Sequence, residues 1–74
     1  MIIENKINIE KTFQLAIKNH QEGKTDIAQE LYKQVLKEEP FRKDVHFNLG
    51  VLFIKLKEYQ RAKSCFEKAI KFDP

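Results

Sequence analysis

Residues 48–74, NLGVLFIKLKEYQRAKSCFEKAIKFDP, decide the fold because they repeat a pattern that occurs 34 residues earlier in the chain. Small residues align with small ones, and aromatic or aliphatic residues align with similar ones. The aligned pairs are Phe13 with Phe47, Leu15 with Leu49, Ala28 with Ala62, Tyr32 with Phe66, Leu36 with Ile70, and Pro40 with Pro74. A period of this length is typical of proteins built by stacking one small supersecondary unit.

Each unit has helical rather than strand periodicity. Apolar residues recur three or four positions apart, as in Phe13 with Ile17 and Leu31 with Val35, which indicates amphipathic helices. The sequence predicts four helices, at about residues 8–22, 26–38, 44–56 and 59–72. Small residues at two pairs of aligned positions are expected to let paired helices approach closely. Large residues are expected to pack beside them in the core. The small ones are Ala16, Ala28, Gly50 and Ala62, and the large ones are Leu15, Tyr32, Val35, Leu36, Leu49, Phe53, Phe66 and Ile70.

The helix boundaries are predicted from residues with special backbone preferences. Gly23 can adopt the left-handed conformation that ends a helix, and Thr25 or Asp26 then offers a capping oxygen for the next one. Pro40 cannot continue a helix, and Asp44 is the expected N-cap of the third helix. The sequence therefore predicts an N-terminal lead-in followed by two helical hairpins, over residues 1–8, 9–42 and 43–74.

These residues resemble the tetratricopeptide repeat (TPR) family over nearly the whole chain. The second unit has the better match, through Asn48-Leu49-Gly50, Phe53, Tyr59, Ala62, Phe66, Ala69 and Pro74. The first unit departs at Thr12, Ala16, Asn19 and Thr25 but keeps the turn glycine, Gly23. The resemblance implies an all-α fold in which two antiparallel helix-turn-helix hairpins stack as a short right-handed superhelix, an α-solenoid.

Family members are usually scaffolds whose first helices line a concave groove for a peptide or a partner helix. By this resemblance, the groove-facing residues are Phe13, Gln14, Ile17, His20 and Gln21 in the first unit, and Phe47, Asn48, Val51, Ile54 and Lys55 in the second. Several of these are apolar, which favours an apolar partner; the alternative is that they pack on neighbouring helices. Phe13 and Ile17 cannot donate hydrogen bonds, which argues against the subtype that binds the carboxylate terminus of chaperones.

The chain's charge bears on nucleic-acid binding, and its cysteine content favours a reducing compartment. The net charge is +3, and residues 42–74 hold eight Lys or Arg against four acidic residues. Without an Arg-rich run we expect no nucleic-acid binding, although the basic second half keeps that alternative open. Cys65 is the single cysteine, so a cytoplasmic location is expected. We expect no membrane span, because no continuous apolar stretch is long enough.

No catalytic motif is recognisable, so we predict that the chain is not an enzyme and uses no cofactor or metal. His20 and His46 are far apart in sequence and are interpreted as surface or groove residues. Lys63 and Lys68 flank Cys65 and would make its thiol reactive if they were close, but a small, partly buried helix residue is the favoured interpretation.

The two ends of the chain give different expectations. Lys11, Leu15, Lys18 and Glu22 form a mostly polar row suited to water, so Met1 is expected to be a true start. The aligned row in the second unit, Val45, Leu49, Leu52 and Leu56, is apolar and is expected to be buried. No capping helix follows Pro74, which predicts an apolar end involving Phe66 and Ile70 and the N-terminal part of a longer array.

A protein-binding scaffold is thus the predicted function, with partner identity open. A self-associating assembly unit, joined through the open end or the groove, is the main alternative. An accessory segment of a larger enzyme is another. The groove is open to a partner or is filled by Ile2, Ile3 and Ile7 of the lead-in.

Overall fold

The computed structural model of the protein describes residues 2–73, with side chains from Ile3 onward, and these residues form two helical hairpins. The chain divides into compact units at residues 1–40 and 41–74, two residues before the predicted boundary. The predictions for Met1 and Pro74 lie outside the described residues. The helices are α1 (Ile2–Gln21), α2 (Thr25–Glu38), α3 (Lys43–Lys55) and α4 (Tyr59–Lys71). The all-α prediction is confirmed, and α1 packs on α2 and α3 on α4.

Helix α1 begins at Ile2, so the prediction that it starts at about residue 8, after a frayed lead-in, is wrong. The early turns have partners because α1 runs antiparallel to α2. Lys6 Nζ lies 3.5 Å from Glu39 Oε2 at the far end of the hairpin, and Ile9 and Val35 line the same cleft between the two helices. Glu4 also places a negative charge in the first turn, which complements the helix dipole.

The turn between α1 and α2 has the geometry predicted for Gly23. This glycine has φ of 79°, in the left-handed region where residues other than glycine are strained. Gly23 N–H donates to His20 O at 3.1 Å, and Lys24 N–H donates to Asn19 O at 2.9 Å. This pair of bonds satisfies the last carbonyls of α1 and ends the helix.

The turn between α3 and α4 repeats this geometry 34 residues later. Lys57, aligned with Gly23, is the only non-glycine residue with positive φ among the described residues, at 62°. Its N–H donates to Ile54 O at 2.9 Å, and Glu58 N–H donates to Phe53 O at 2.9 Å. The second hairpin therefore uses the same helix-ending bonds without a glycine.

The predicted N-caps are wrong by one or two residues. Lys24 precedes α2 and makes no side-chain capping bond, so Thr25 and Asp26 already lie inside the helix. Arg42 precedes α3. Asp44 still serves the first turn, because its Oδ1 accepts a hydrogen bond from Val45 N–H at 2.8 Å.

Each hairpin buries its own set of apolar side chains, and Ala28 and Ala62 are aligned members of the two sets. In the first hairpin they are Phe13, Ala16, Ala28, Tyr32 and Val35, and in the second Val45, Leu49, Leu52, Phe53, Ala62 and Cys65. The core prediction is wrong for Leu15 and Ile70, which are exposed, while Leu36 and Phe66 are half-buried. Lys11, Lys18 and Glu22 are exposed with Leu15, as expected for a polar row.

Candidate partner-binding surfaces

The groove candidates on α1 differ in exposure. Phe13 is buried, with its ring centroid 6.2 Å from that of Tyr32, so it belongs to the core of the hairpin. Ile17 and His20 are half-buried, and Gln14 and Gln21 are exposed. Phe13 therefore packs on the neighbouring helix α2, as in the alternative to a groove-facing position. The α1 candidates do not form a continuous exposed apolar row.

His20 is a packing residue of the first hairpin rather than a surface one. Its Nδ1 lies 2.9 Å from the Tyr32 hydroxyl, and the two rings meet edge to face. Tyr32 is fully buried, and this burial raises the pKa of its phenol to about 12. The hydrogen bond satisfies a hydroxyl that would otherwise be costly to bury. The pair joins α1 to α2.

The candidates on α3 form one exposed apolar row. Phe47, Val51 and Ile54 are 54%, 39% and 45% exposed, and their spacing of four and three residues places them on one side of the helix. We call these three residues the α3 stripe. Asn48 is half-buried and Lys55 is exposed at its border. Among the candidates from the sequence, those on α3 thus include a contiguous exposed apolar row.

The α3 stripe is supported from behind by α4. The ring centroids of Phe47 and Phe66 lie 5.6 Å apart, and the ring of Phe66 also lies close to Gly50. A Cβ atom added at Gly50 would lie only 2.7 Å from Phe66 Cε1. Glycine therefore allows the ring of Phe66 to approach α3, where it contacts the ring of Phe47, the first residue of the stripe.

A cleft of about 370 Å³ adjoins the stripe where α3 begins and α4 ends. Phe47 and Ile70 line it, together with the ion pair between Lys43 Nζ and Asp73 Oδ1. Of the two residues predicted for an apolar end, Ile70 is 76% exposed and Phe66 is half-buried.

Asp44, at the edge of this cleft, is held as a carboxylate. Arg42 Nη2 donates to Asp44 Oδ2 at 2.7 Å, and Arg42 Nε donates to Oδ1 at 3.1 Å. Partial burial alone would raise the pKa of Asp44, but the Arg42 bonds and charge, with the N–H of Val45, outweigh it and lower that pKa. The contact fixes the start of α3.

Cys65 and His46 are packing residues. Cys65 is buried, and burial raises its pKa more than the charges of Lys68 and Arg61 lower it, so the thiol stays protonated near neutral pH. This supports the packing interpretation over a reactive thiol. His46 is also buried, with its ring 5.5 Å from that of Phe72, so its interpretation as a surface or groove residue is wrong. Residues 2–73 contain no group of three metal-binding side chains.

One contact of the second hairpin was missed in the sequence. The guanidinium carbon of Arg61 lies 4.3 Å from the ring centroid of Phe53, close enough for a cation–π interaction between α4 and α3. The spacing of these residues gives no signal for it, because it depends on the loop that joins the helices. This contact joins α4 to α3, and neither Arg61 nor Phe53 belongs to the α3 stripe.

No helix within residues 2–73 has the length and apolar character needed to cross a membrane. The family model described as tetratricopeptide repeat matches residues 44–74, which include α3 from its second residue and all of α4. No curated protein matches the chain.

Proposed function

We propose that this chain, which carries a tetratricopeptide repeat at residues 44–74, is a protein-interaction module that binds a helical segment of a partner along the α3 stripe. The repeat suggests a scaffold rather than a catalyst. The observation that carries the finer proposal is the row of Phe47, Val51 and Ile54, exposed on one side of α3. A reducing compartment such as the cytoplasm remains the proposed location.

The chemistry of the stripe suits an amphipathic helix. Three apolar side chains over two turns match a partner that presents apolar residues three or four positions apart. Phe47 is the expected anchor, because aromatic side chains often dominate binding energy and Phe66 already contacts its ring. Exposed Lys55 at the end of the stripe would favour an acidic residue on the partner.

The experiment captures binding partners with the tagged chain and with two matched variants. Ile54→Asp places one negative charge on the stripe at an exposed position, so the fold is expected to survive, as circular dichroism would show. Ile27→Asp places the same charge at an exposed isoleucine of α2 as the control. We expect proteins retained by the wild type and by Ile27→Asp to be lost by the stripe variant. Equal retention by all three chains would refute the stripe as the binding surface.

Self-association through the apolar end is a second candidate, favoured by the 76% exposure of Ile70 beside the cleft. Two copies would then cover each other at Ile70 and Phe66. Ile70→Lys separates the two candidates, because it would abolish this association while leaving partner capture through Val51 and Ile54 intact. The measurement is sedimentation equilibrium of the wild type and of Ile70→Lys across a hundredfold concentration range. Equal masses of the two chains at every concentration would exclude this candidate.

A further inference from the structure

One side of α1, which the proposed function does not use, combines apolar and charged residues. Glu4, Ile7, Lys11, Leu15 and Lys18 follow each other at spacings of three or four residues, so they lie along one side of the helix. We call them the α1 face. All five are exposed, and a shallow surface depression runs along Ile7, Lys11, Leu15 and Lys18. Ile7 and Leu15 are each 48% exposed.

The α1 face is complementary to itself when two copies run antiparallel. With Lys11 on a two-fold axis, residues equally distant from Lys11 along the chain fall in the same layer of the pair, because a two-fold axis makes contacts reciprocal. Ile7 of one copy then meets Leu15 of the second copy, and Glu4 meets Lys18. We propose that the occupant of this face is a second copy of the chain, docked in this register.

The charges favour this register. Glu4 and Lys18 are exposed and make no ion pair within the described residues, so each is available to an opposite charge on the second copy. Two such pairs flank the two apolar layers. Lys11 meets its own copy on the axis, and its long side chain can turn its ammonium group outward while its methylene groups cover the centre. The like charges still limit the strength of the dimer.

Other occupants fit less well. An anionic membrane surface or an acidic helix would favour a uniformly basic face, but Glu4 opposes both.

The interface is small, because the distance from Glu4 to Lys18 along the helix is only about 21 Å. We therefore expect a weak dimer, with a dissociation constant on the order of 10⁻⁴ M, since stable interfaces bury much more surface.

The test is sedimentation equilibrium from about 20 μM to 2 mM, with a charge-exchange series. Lys18→Glu places Glu opposite Glu4 and is expected to weaken the dimer about tenfold. Glu4→Lys combined with Lys18→Glu restores the opposite charges and is expected to return the dissociation constant to near that of the wild type. Lys63→Glu makes the same charge change at an exposed site on α4 and is expected to leave the dissociation constant unaltered.

Substitutions of Lys11 test independently whether this residue lies on the two-fold axis of the dimer. Lys11→Leu removes the like charges and is expected to strengthen the dimer about tenfold. Lys11→Cys is expected to form an oxidised dimer readily, because the two sulfur atoms face each other across the axis, whereas Lys33→Cys on α2 is not.

Three results would overturn the proposal. These are a monomer at 2 mM, a dimer that the double charge exchange fails to restore, and a dimer that Lys11→Leu does not strengthen. A dimer lost in Val51→Asp but unaffected by Lys18→Glu would assign association to the α3 stripe instead. Partner capture through the stripe is measured separately, so failure of the α1 dimer leaves the proposed function standing.

Discussion

The two hairpins make the same turn with different residues. Gly23 and Lys57 occupy aligned positions, both have positive φ, and both are followed by the same pair of helix-ending hydrogen bonds. Glycine adopts this conformation without strain, whereas a lysine side chain crowds the backbone there. The two helix-ending hydrogen bonds, rather than a glycine, therefore determine the geometry of the turn. The second hairpin keeps these bonds although the backbone of Lys57 is strained.

The interiors differ in a coordinated way. His20 and Tyr32 form a hydrogen-bonded pair in the first hairpin, and the aligned residues of the second are Ile54 and Phe66, which have no hydroxyl or ring nitrogen to pair. Removing both polar partners together is far less costly than removing one. The first hairpin thereby buries a polar contact, while the second leaves Ile54 for the exposed α3 stripe.

The largest effect is expected at Gly50, where the second hairpin needs glycine and the first has Ala16. Gly50→Val should lower the free energy of unfolding by about 1–3 kcal/mol, because its side chain would collide with Phe66. Urea unfolding followed by circular dichroism measures this. Lys55→Val, an exposed site on the same helix, is the control and should change stability by less than about 0.5 kcal/mol. An unchanged free energy of unfolding in Gly50→Val would show that the packing of Phe66 does not require glycine at position 50.

The polar pair of the first hairpin is the next test. Tyr32→Phe should cost about 1 kcal/mol, because it removes the hydroxyl that contacts His20. Adding His20→Ile, which copies the second hairpin, should recover part of that loss. Additive losses in the double variant would contradict a coupling between the two residues.

The same pair predicts a stability change in alkali. The Tyr32 pKa is raised from 10.0 to about 12 in the folded chain, so the folded state retains its proton where the unfolded state loses it. Stability from the protonated phenol is therefore full below pH 10.0 and is lost as the pH rises towards about 12. Wild type should lose stability across this window more steeply than Tyr32→Phe. Equal slopes in urea unfolding would refute this assignment.

Exchanging the turn residues tests the main comparison. Lys57→Gly should raise the free energy of unfolding by about 0.5–1 kcal/mol through relief of strain, and Gly23→Ala should lower it by about 1 kcal/mol. Both values come from thermal or urea unfolding. A destabilising Lys57→Gly would mean that Lys57 contributes more through its side chain than its backbone costs.

The smallest effect is expected at the start of α3. The lowered pKa of Asp44 means that its carboxylate stabilises the fold above the usual Asp pKa of 3.8, and that this contribution is lost as the pH falls below it. Because the side chain is about half exposed, Asp44→Asn should cost only a few tenths of a kcal/mol at pH 7. The difference should vanish at acidic pH. A constant difference across pH would contradict the ion pair with Arg42.

Much of the fold could be predicted because the repeat aligns residues with strict steric requirements. Gly23 predicted the first turn, whereas positive φ at Lys57 was not predicted, because lysine has no preference for that conformation. The early start of α1 could not be predicted, because its contact with Glu39 depends on the return of α2. On α3 the apolar candidates are exposed, but on α1 Phe13 is buried. Aligned positions thus share a backbone geometry, whereas their exposure depends on what surrounds them.

The proposed function requires the α3 stripe to bind an apolar helix face. The most direct measurement is a titration of the ¹⁵N-labelled chain with a synthetic amphipathic peptide bearing leucines at positions i, i+4 and i+7, and with a scrambled peptide of equal composition. This proposal predicts saturable amide shifts centred on Phe47, Val51 and Ile54 with the amphipathic peptide only. Shifts centred elsewhere, or equal shifts with both peptides, would contradict it.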